Sequence, residues 1–425
     1  MIHELPNSSY YAASAGAFPR QPQLTETVTA DVCVVGGGFT GLAAALACAE
    51  KGLQTVLVEA DRIGNGASGR NGGQMIPGLN AYAHDLISLL GRADAEALYR
   101  LAASARDRVH ARIVQHSIDC DLRPGHVHLA ARKSDMDSFA REAEFANELL
   151  GQDNARVVAA SGVGEHVGVT GYYGALITPS GGHMHPMKYA YGLARAALAA
   201  GVRMFEQSRV TAITDGAASL VHAAAGTVSA RHVVLACDSD MDSIDRTAGQ
   251  FTMPVLNYII ATQPLDDERA AALIPSGAAV SDSRFVLNYF RLSADNRMLF
   301  AGGEKYTRKP PADIAAFVQP FMLGLFPSLA DVAIDYAWGG AVGITVNRLP
   351  QFGRRGHRIY AHGYSGQGVL LATLAGELMA DAITGNPDQF DRFAAIPHMP
   401  FPGGKLLRSP IYTAAMMYMA LRDRL

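Results

Sequence analysis

Cysteine is scarce in this chain: four in 425 residues, at positions 33, 48, 120 and 237, with no CxxC pair among them. That excludes a disulfide framework and a cysteine-built metal centre, and it fits a reducing compartment. An excess of one charge is also missing, since 36 Lys and Arg stand against 39 Asp and Glu. A net charge of −3 supplies no field for nucleic acid or an anionic membrane surface, so no nucleic-acid partner is expected. Long apolar runs are lacking too. The Ala-rich stretch 42–49 and AAMMYMAL at 414–421 fall well short of a membrane span, and no transmembrane segment is expected. The first fifteen residues carry neither the basic start nor the apolar core of a signal peptide, which points to a cytoplasmic protein. Internal repeats and low-complexity segments are absent. Apolar residues at 49% and charged residues at 18% describe an ordinary globular chain, long enough for about two to three domain-sized units.

Against these absences stands DVCVVGGGFTGLAAALACAEKGLQTVLVEAD at 31–61. An apolar strand (Val32 to Val35) runs into Gly36-x-Gly38-x-x-Gly41, an Ala/Leu-rich helix follows, and a second strand (Thr55 to Val58) ends at Glu59. Gly36 permits the tight turn, Gly38 brings backbone amides to a pyrophosphate, and Gly41 lets helix and strand pack closely. The helix start, with Phe39 and Thr40, presents unpaired N–H groups and the positive end of its dipole. Glu59, 18 residues past Gly41, stands where a carboxylate accepts both ribose hydroxyls, which favours FAD or NAD over NADP. Ala60 and Arg62 follow it into a glycine-dense loop, 62–78, whose composition means backbone lying close against something.

Helical spacing is expected over 84–117, 134–150, 187–201 and 311–327. Strand patterns are expected at 122–132, 172–186 and 202–237, and as successive strands through 250–303 with a turn at Asp295-Asn296. Alternation returns at 332–354. The chain then closes as strand, glycine loop (Gly363-Tyr364-Ser365-Gly366-Gln367-Gly368) and long helix, which offers a second helix N-terminus for an electron-rich group. On a flavin that group would be the pyrimidine side, so the late loop favours FAD over NAD. The expected fold is an α/β Rossmann-like FAD-binding domain with an inserted α+β substrate domain built on a large antiparallel sheet. Residues 27–85, 160–248 and 335–400 are expected in the first, 86–159 and 249–334 in the second, and 401–425 as a C-terminal helical tail.

The sequence at this point resembles the D-amino acid oxidase (DAO)-type superfamily of FAD-dependent oxidoreductases, and within it the γ-glutamylputrescine oxidase group. The resemblance spans nearly the whole chain: Ser9 to Ala15 (SYYAASA), DVCVVGGGFTGL, ASGRNGGQ at 67–74, Arg123-Pro124-Gly125, SGGHMHP at 180–186, YFRLSADNRMLFAGG at 289–303, RLPQFGR at 348–354, GYSGQG, and FPGG at 401–404. ASGRNGGQ and GYSGQG in this order are much more specific to that branch than GxGxxG.

It implies that Ala67, Ser68, Gly69, Arg70, Asn71, Gly72, Gly73 and Gln74 wrap the flavin ring and ribityl chain. Val210 would meet the adenine through its backbone, and Ala236 and Cys237 would end the strand beside the pyrophosphate. Gln367 stands where γ-glutamylputrescine oxidases carry histidine, and Met75 to Leu79 replace a polar run, so substrate assignment is open between γ-glutamylputrescine and L-pipecolate or N-methyl amino acids. No cysteine follows Cys237, and Arg70-Asn71 stand where related dehydrogenases tether flavin through histidine, which implies non-covalent FAD.

The activity implied is oxidation of a small amine or amino acid to an imine by hydride transfer, with O2 reduced to hydrogen peroxide. The alternative is a flavin dehydrogenase that passes electrons to a partner; Lys305 is near, but not aligned with, the oxygen-activating lysine of sarcosine-oxidase-like enzymes. Positioning carries such chemistry, and no catalytic side chain is assigned. Tyr258, Tyr289 and Arg291, on neighbouring strands, are candidate substrate contacts, as is Gln367, although the tyrosines equally suit sheet packing. Arg291 or Arg348 would clamp a carboxylate, with Arg348 favoured by the resemblance unless it serves a structural ion pair. His183 and His185 form an HxH spacing with no carboxylate or cysteine beside it, so no metal is expected. Trp338 suits either the flavin edge or the core.

Overall fold

The computed structural model describes residues 9–151, 153–303, 310–402, 410, 411, 413 and 414. The opening strand is longer than its apolar part, Thr27–Val35, and it pairs in parallel with Thr55–Val58 on one side and Thr227–Leu235 on the other. Val32–Val35, Thr55–Val58 and Val233–Leu235 are buried on both faces, as their near-continuous apolar runs require of a parallel sheet, while the first halves of the two longer strands alternate. The path through this sheet runs Gln351–Arg355, Arg358–His362, Thr227–Leu235, Thr27–Val35, Thr55–Val58, Arg203–Phe205, with an antiparallel hairpin (Val210–Thr214, Ser219–Ala223) joined to Thr227–Leu235.

Two helices cover one face. Phe39–Glu50 follows the first strand and Gly368–Ile383 follows Arg358–His362. Both are apolar nearly all round because they are sandwiched rather than half exposed. They touch backbone to backbone: a Cβ on Gly376 would lie 2.5 Å from Thr40 O and 2.6 Å from Ala44 N.

Among the described residues the second sheet has nine strands, eight along the path Ile334–Ile344, Met253–Thr262, Met298–Ala301, Tyr289–Leu292, Ala279–Asp282, Arg123–Leu129, Gly174–His183, Gln74–Met75, and Arg156–Ala159 beside Gly174–His183. It is mixed rather than purely antiparallel, since Ala279–Asp282 pairs in parallel with Arg123–Leu129. Its membership differs from the expected partition. Gly174–His183 and Ile334–Ile344 lie within the segments 160–248 and 335–400 (the latter from its second residue on), yet both hydrogen-bond into the second sheet. An alternating strand reports a buried face but not which sheet it joins.

Helices also depart from expectation. The single helical run foreseen at 84–117 is three helices, Ala83–Leu90, Arg92–Ala103 and Ala105–Gln115, broken at Gly91 (φ +79°) and at Ser104. Asp267–Leu273, inside the expected run of strands, is a helix capped by Asp266. The turn at Asp295-Asn296 forms as expected, with Asn296 at φ +58°. Most of the expected C-terminal tail lies outside the described residues. No helix among the described residues is long and apolar enough to cross a membrane.

Candidate active site

Between the two sheets lies a cleft of about 300 Å³, built first from the glycine turn. Gly36 takes φ +111°, and a Cβ there would sit 2.5 Å from Ala236 O. A Cβ on Gly38 would meet Ser68 Oγ at 2.7 Å and displace that side chain, and one on Gly41 would meet Gly36 O at 1.9 Å, so backbone contact requires glycine at 36 and 41. Phe39 N donates to Ser68 Oγ (2.9 Å), which ties the glycine-dense loop to the helix start.

Glu59 Oε2 accepts from Gly37 N (2.6 Å) and Oε1 from Asp61 N (2.8 Å). Burial raises its pKa above the usual carboxylate range while those two N–H groups oppose the rise. Both oxygens are thereby oriented, and each keeps a further lone pair for a ribose hydroxyl.

Of the residues expected to meet a cofactor, Gly36, Gly38, Phe39, Thr40, Glu59, Ala60, Ala67, Ser68, Arg70, Asn71, Val210, Ala236, Cys237, Tyr364, Gly366 and Gly368 line this cleft. Gly41, Arg62, Gly69, Gly72, Gly73, Gln74, Gly363, Ser365 and Gln367 are placed behind or beside it. Arg62 pairs with Glu206 (3.1 Å), and Gln74 Nε2 donates to Val280 O (2.9 Å) and Phe290 O (3.3 Å). Gly69 and Gly73 make room for Gly64 O and Met184 O, which a Cβ would approach to 2.3 Å and 2.2 Å.

Gly37, Asp61, Asn65, Arg209 and Asp238 also line the cleft and were missed. Asp238 holds two backbone donors, Gly363 N to Oδ1 (2.9 Å) and Gly343 N to Oδ2 (3.0 Å), and burial raises its pKa. Its only sequence signal is that it directly follows Cys237 at the end of an apolar strand.

The late glycine loop needs left-handed backbone at Gly363, Ser365 and Gly366 (φ +73°, +53° and +99°). Ser365 tolerates it because its N donates to Gly343 O (3.0 Å) and its carbonyl accepts from Asn80 Nδ2 (2.6 Å). Tyr364 OH and Thr40 Oγ1 lie 2.8 Å apart, so the starts of the two helices that line the cleft are tied together. Gln367 stands at the N-cap position of the second helix without a side-chain cap bond, and its Oε1 is buried with no partner among the described residues. N–H-rich turns at two helix starts, with an acid at a strand end, are a donor set that suits a dinucleotide.

The candidate substrate residues separate. Tyr289 and Arg291 share the face of the second sheet that meets the glycine-dense loop: a Cβ on Gly72 would lie 2.5 Å from the Tyr289 ring, and Tyr289 OH donates to Asn257 Oδ1 (2.6 Å). Arg291 is fully engaged. Its five N–H groups reach Gly72 O (2.7 Å), Met184 O (3.0 Å), Tyr11 OH (3.1 Å), Leu292 O (3.3 Å) and His183 Nδ1 (3.5 Å). A buried guanidinium so used has no donor left for a substrate carboxylate in this arrangement.

Tyr258 faces the other side of the sheet, edge-on to Phe317 (5.7 Å), and burial pushes its hydroxyl up to about 12. Arg348, at φ +63° in the turn after Ile334–Ile344, lies over the Phe285 ring at 5.7 Å and makes no ion pair among the described residues. Trp338 is buried and donates to Arg70 O (3.0 Å).

His183 and His185 are held neutral, each pushed down to about 3 by burial and then by Arg291. His183 Nε2 donates to Gly277 O (3.0 Å), and His185 Nδ1 accepts from Lys188 N (3.2 Å). Among the described residues no group of three or more His, Cys, Asp or Glu side chains could hold a metal. Lys305 lies outside the described residues.

Comparison with known proteins gives three results. The family described as "DAO: FAD dependent oxidoreductase" matches residues 31–382. Among curated relatives, γ-glutamylputrescine oxidoreductase of Escherichia coli K12 is 40% identical over 423 residues, covering 98% of each chain. A probable oxidoreductase, OrdL, of Haemophilus influenzae is 36% identical, covering 98% of this chain and 97% of the relative. Among solved structures, L-proline dehydrogenase from P. horikoshii (TM-score 0.71, 19% identity, 89% of this chain and 96% of that one) shares the fold. So does glycine oxidase from Geobacillus kaustophilus (TM-score 0.70, 22% identity, 84% and 95%).

Proposed function

From the premise that this chain belongs to the DAO family of FAD-dependent oxidoreductases, we propose that it oxidises a C–N bond of a small amine or amino acid to an imine, with O2 reduced to hydrogen peroxide. The observation that carries the substrate is the relative at 40% identity across 98% of both chains, which favours γ-glutamylputrescine or a similar γ-glutamyl amine.

Bound FAD supplies a two-electron acceptor. The amide of Gly38 and the start of helix Phe39–Glu50 would hold its pyrophosphate, Glu59 its adenosine ribose, and Ser68, Arg70 and Asn71 the flavin end. The start of helix Gly368–Ile383 would face the side where negative charge collects on reduction, a stabilisation that grows with that charge. Non-covalent binding is supported by the cysteines, of which Cys33, Cys48 and Cys120 are buried while burial raises the Cys237 thiol pKa. Tyr289 would wall the substrate and Gln367 would offer it an amide. Arg348, without an ion pair among the described residues, would keep more of its donors for a carboxylate than Arg291 does.

The test is anaerobic addition of γ-glutamylputrescine and, in parallel, L-pipecolate to the purified holoprotein, with peroxide assayed once air is admitted. Loss of the oxidised-flavin visible band with γ-glutamylputrescine alone supports the proposal. Bleaching by pipecolate alone moves the substrate to cyclic or N-alkyl amino acids. Bleaching without peroxide makes the protein a dehydrogenase, and no bleaching by either compound removes the substrate class.

A further inference from the structure

The conspicuous N-terminal motif Ser9 to Ala15 has no part in the function so far. It folds as a five-residue helix, Tyr10–Ser14, with Ser9 Oγ accepting from Ala12 N (3.1 Å). So short a helix has little stability of its own, yet Tyr11 is 0% exposed.

Tyr11 reaches the two side chains that hold the glycine-dense loop. Its hydroxyl accepts from Arg291 (3.1 Å), and its ring packs edge-on against Trp338 at 5.2 Å and 70°. Arg291 in turn donates to Gly72 O (2.7 Å) and to Met184 O (3.0 Å), and Met184 N donates back to Gly73 O (2.8 Å). Trp338 donates to Arg70 O (3.0 Å). The carbonyls on either side of Asn71 are therefore fixed by two residues that both rest on one tyrosine.

We propose that Tyr11 is a positioning residue for the cofactor: through Arg291 and Trp338 it sets the backbone of loop 70–73 against the bound flavin, so that the N-terminal segment is part of the holoenzyme's cofactor site. The inference rests on the reading that this loop borders FAD, and not on which amine is oxidised. Loss of the Tyr11 hydroxyl strands a buried guanidinium N–H, which then turns or pulls on the loop carbonyls it shares.

Tyr10 provides the control. It lies on the same helix and is 5% exposed against 0% for Tyr11, but its hydroxyl donates to Asp295 (2.6 Å) and its ring meets Tyr336 (5.8 Å), with no bond to Arg291 or Trp338. Tyr10→Phe and Tyr11→Phe remove the same atom from neighbouring residues.

The experiment compares wild type, Tyr10→Phe, Tyr11→Phe and Tyr11→Leu as full-length holoproteins. It measures FAD dissociation, the visible flavin spectrum, the flavin midpoint potential and the denaturant midpoint of the apoprotein. Tyr11→Phe is expected to weaken FAD binding roughly tenfold, the worth of a hydrogen bond to a charged group, and to alter spectrum and potential. Tyr11→Leu, which also removes the ring against Trp338, is expected to do more, while Tyr10→Phe leaves all three flavin readouts at wild-type values.

Equal effects of the two Phe variants on FAD binding would overturn the proposal. So would a Tyr11→Phe protein that loses only apoprotein stability while its spectrum, potential and FAD affinity stay wild-type. A wild-type protein that binds no FAD would overturn the cofactor reading and this proposal together, which distinguishes the two failures.

Discussion

Gly41→Ala is the sharpest perturbation of the cofactor cradle, because the space its Cβ needs is already filled by backbone. The added carbon would lie 1.9 Å from Gly36 O, 3.0 Å from Gly36 C and 3.2 Å from Val34 Cγ1. To reach ordinary contact at 3.4 Å, the start of helix Phe39–Glu50 must retreat by about 1.5 Å (3.4 − 1.9). The far side blocks that retreat, since the helix already meets Gly368–Ile383 where a Cβ on Gly376 would approach Thr40 O to 2.5 Å. With backbone on both walls, the cost lies at the upper end of the overpacking range, about 3 kcal/mol.

The same displacement carries the Gly38 amide and the helix start out of the narrow distance window of a hydrogen bond to a phosphate. Losing one charge-assisted bond to a phosphate costs about 1.5–3 kcal/mol, or roughly a 10- to 100-fold loss of FAD affinity. FAD titration of the apoprotein followed by flavin fluorescence, paired with urea denaturation, separates the two effects. Gly164→Ala serves as control, having no atom within 4 Å of the added carbon and an ordinary φ. A Gly41→Ala protein that binds FAD within about threefold of wild type at unchanged stability refutes the reasoning, since that corresponds to under about 1 kcal/mol.

Acidification should destabilise the fold. His126, His183, His185 and His362 are each pushed down to about 3 by burial, so below the ordinary histidine pKa the unfolded chain binds protons that the folded one does not. Their contribution is complete above about pH 6.5 and is lost toward pH 3, at up to about 1.4 kcal/mol per pH unit for each histidine. Glu59, Glu142 and Asp238, raised by burial, act in the opposite sense. Urea midpoints that do not fall between about pH 7.5 and about pH 5.5 would contradict the net sign.

Arg112→Met strips a buried guanidinium from Glu377 (2.7 Å) and Glu50 (2.6 Å), and should cost about 3–5 kcal/mol in chemical denaturation, with partial recovery when Glu377→Leu is added. Gly324→Ala, near the end of helix Ile314–Leu325 with nothing within 4 Å of the new carbon, should stabilise by about 0.5–1 kcal/mol; a destabilised variant would show a packing or backbone demand absent from the structure.

Much of the candidate cofactor cleft was legible because its logic is local. Gly36, Gly38, Gly41 and Glu59 lie within one strand–helix–strand unit, where contiguous residues fix both the turn and the close approach. The late loop from Gly363 to Gly368 carries the same signature. The substrate side was less legible. Tyr258 and Tyr289 look alike in sequence, yet one faces Phe317 and the other Gly72. Alternation shows which residues of a strand share a face, not which face meets the flavin loop. Arg291 read as a candidate carboxylate clamp because the partners that consume its donors come from remote segments.

The sequence by itself therefore determined the dinucleotide cradle, the two helix starts and the family, since each rests on backbone geometry that short runs of glycine dictate. Only the tertiary structure decided that Gly174–His183 and Ile334–Ile344 join the second sheet, that Arg291 supports a loop, and that Tyr11 bonds it from 280 positions away. Those outcomes depend on which surfaces meet when separate elements bury their apolar faces together, and no local pattern encodes that choice.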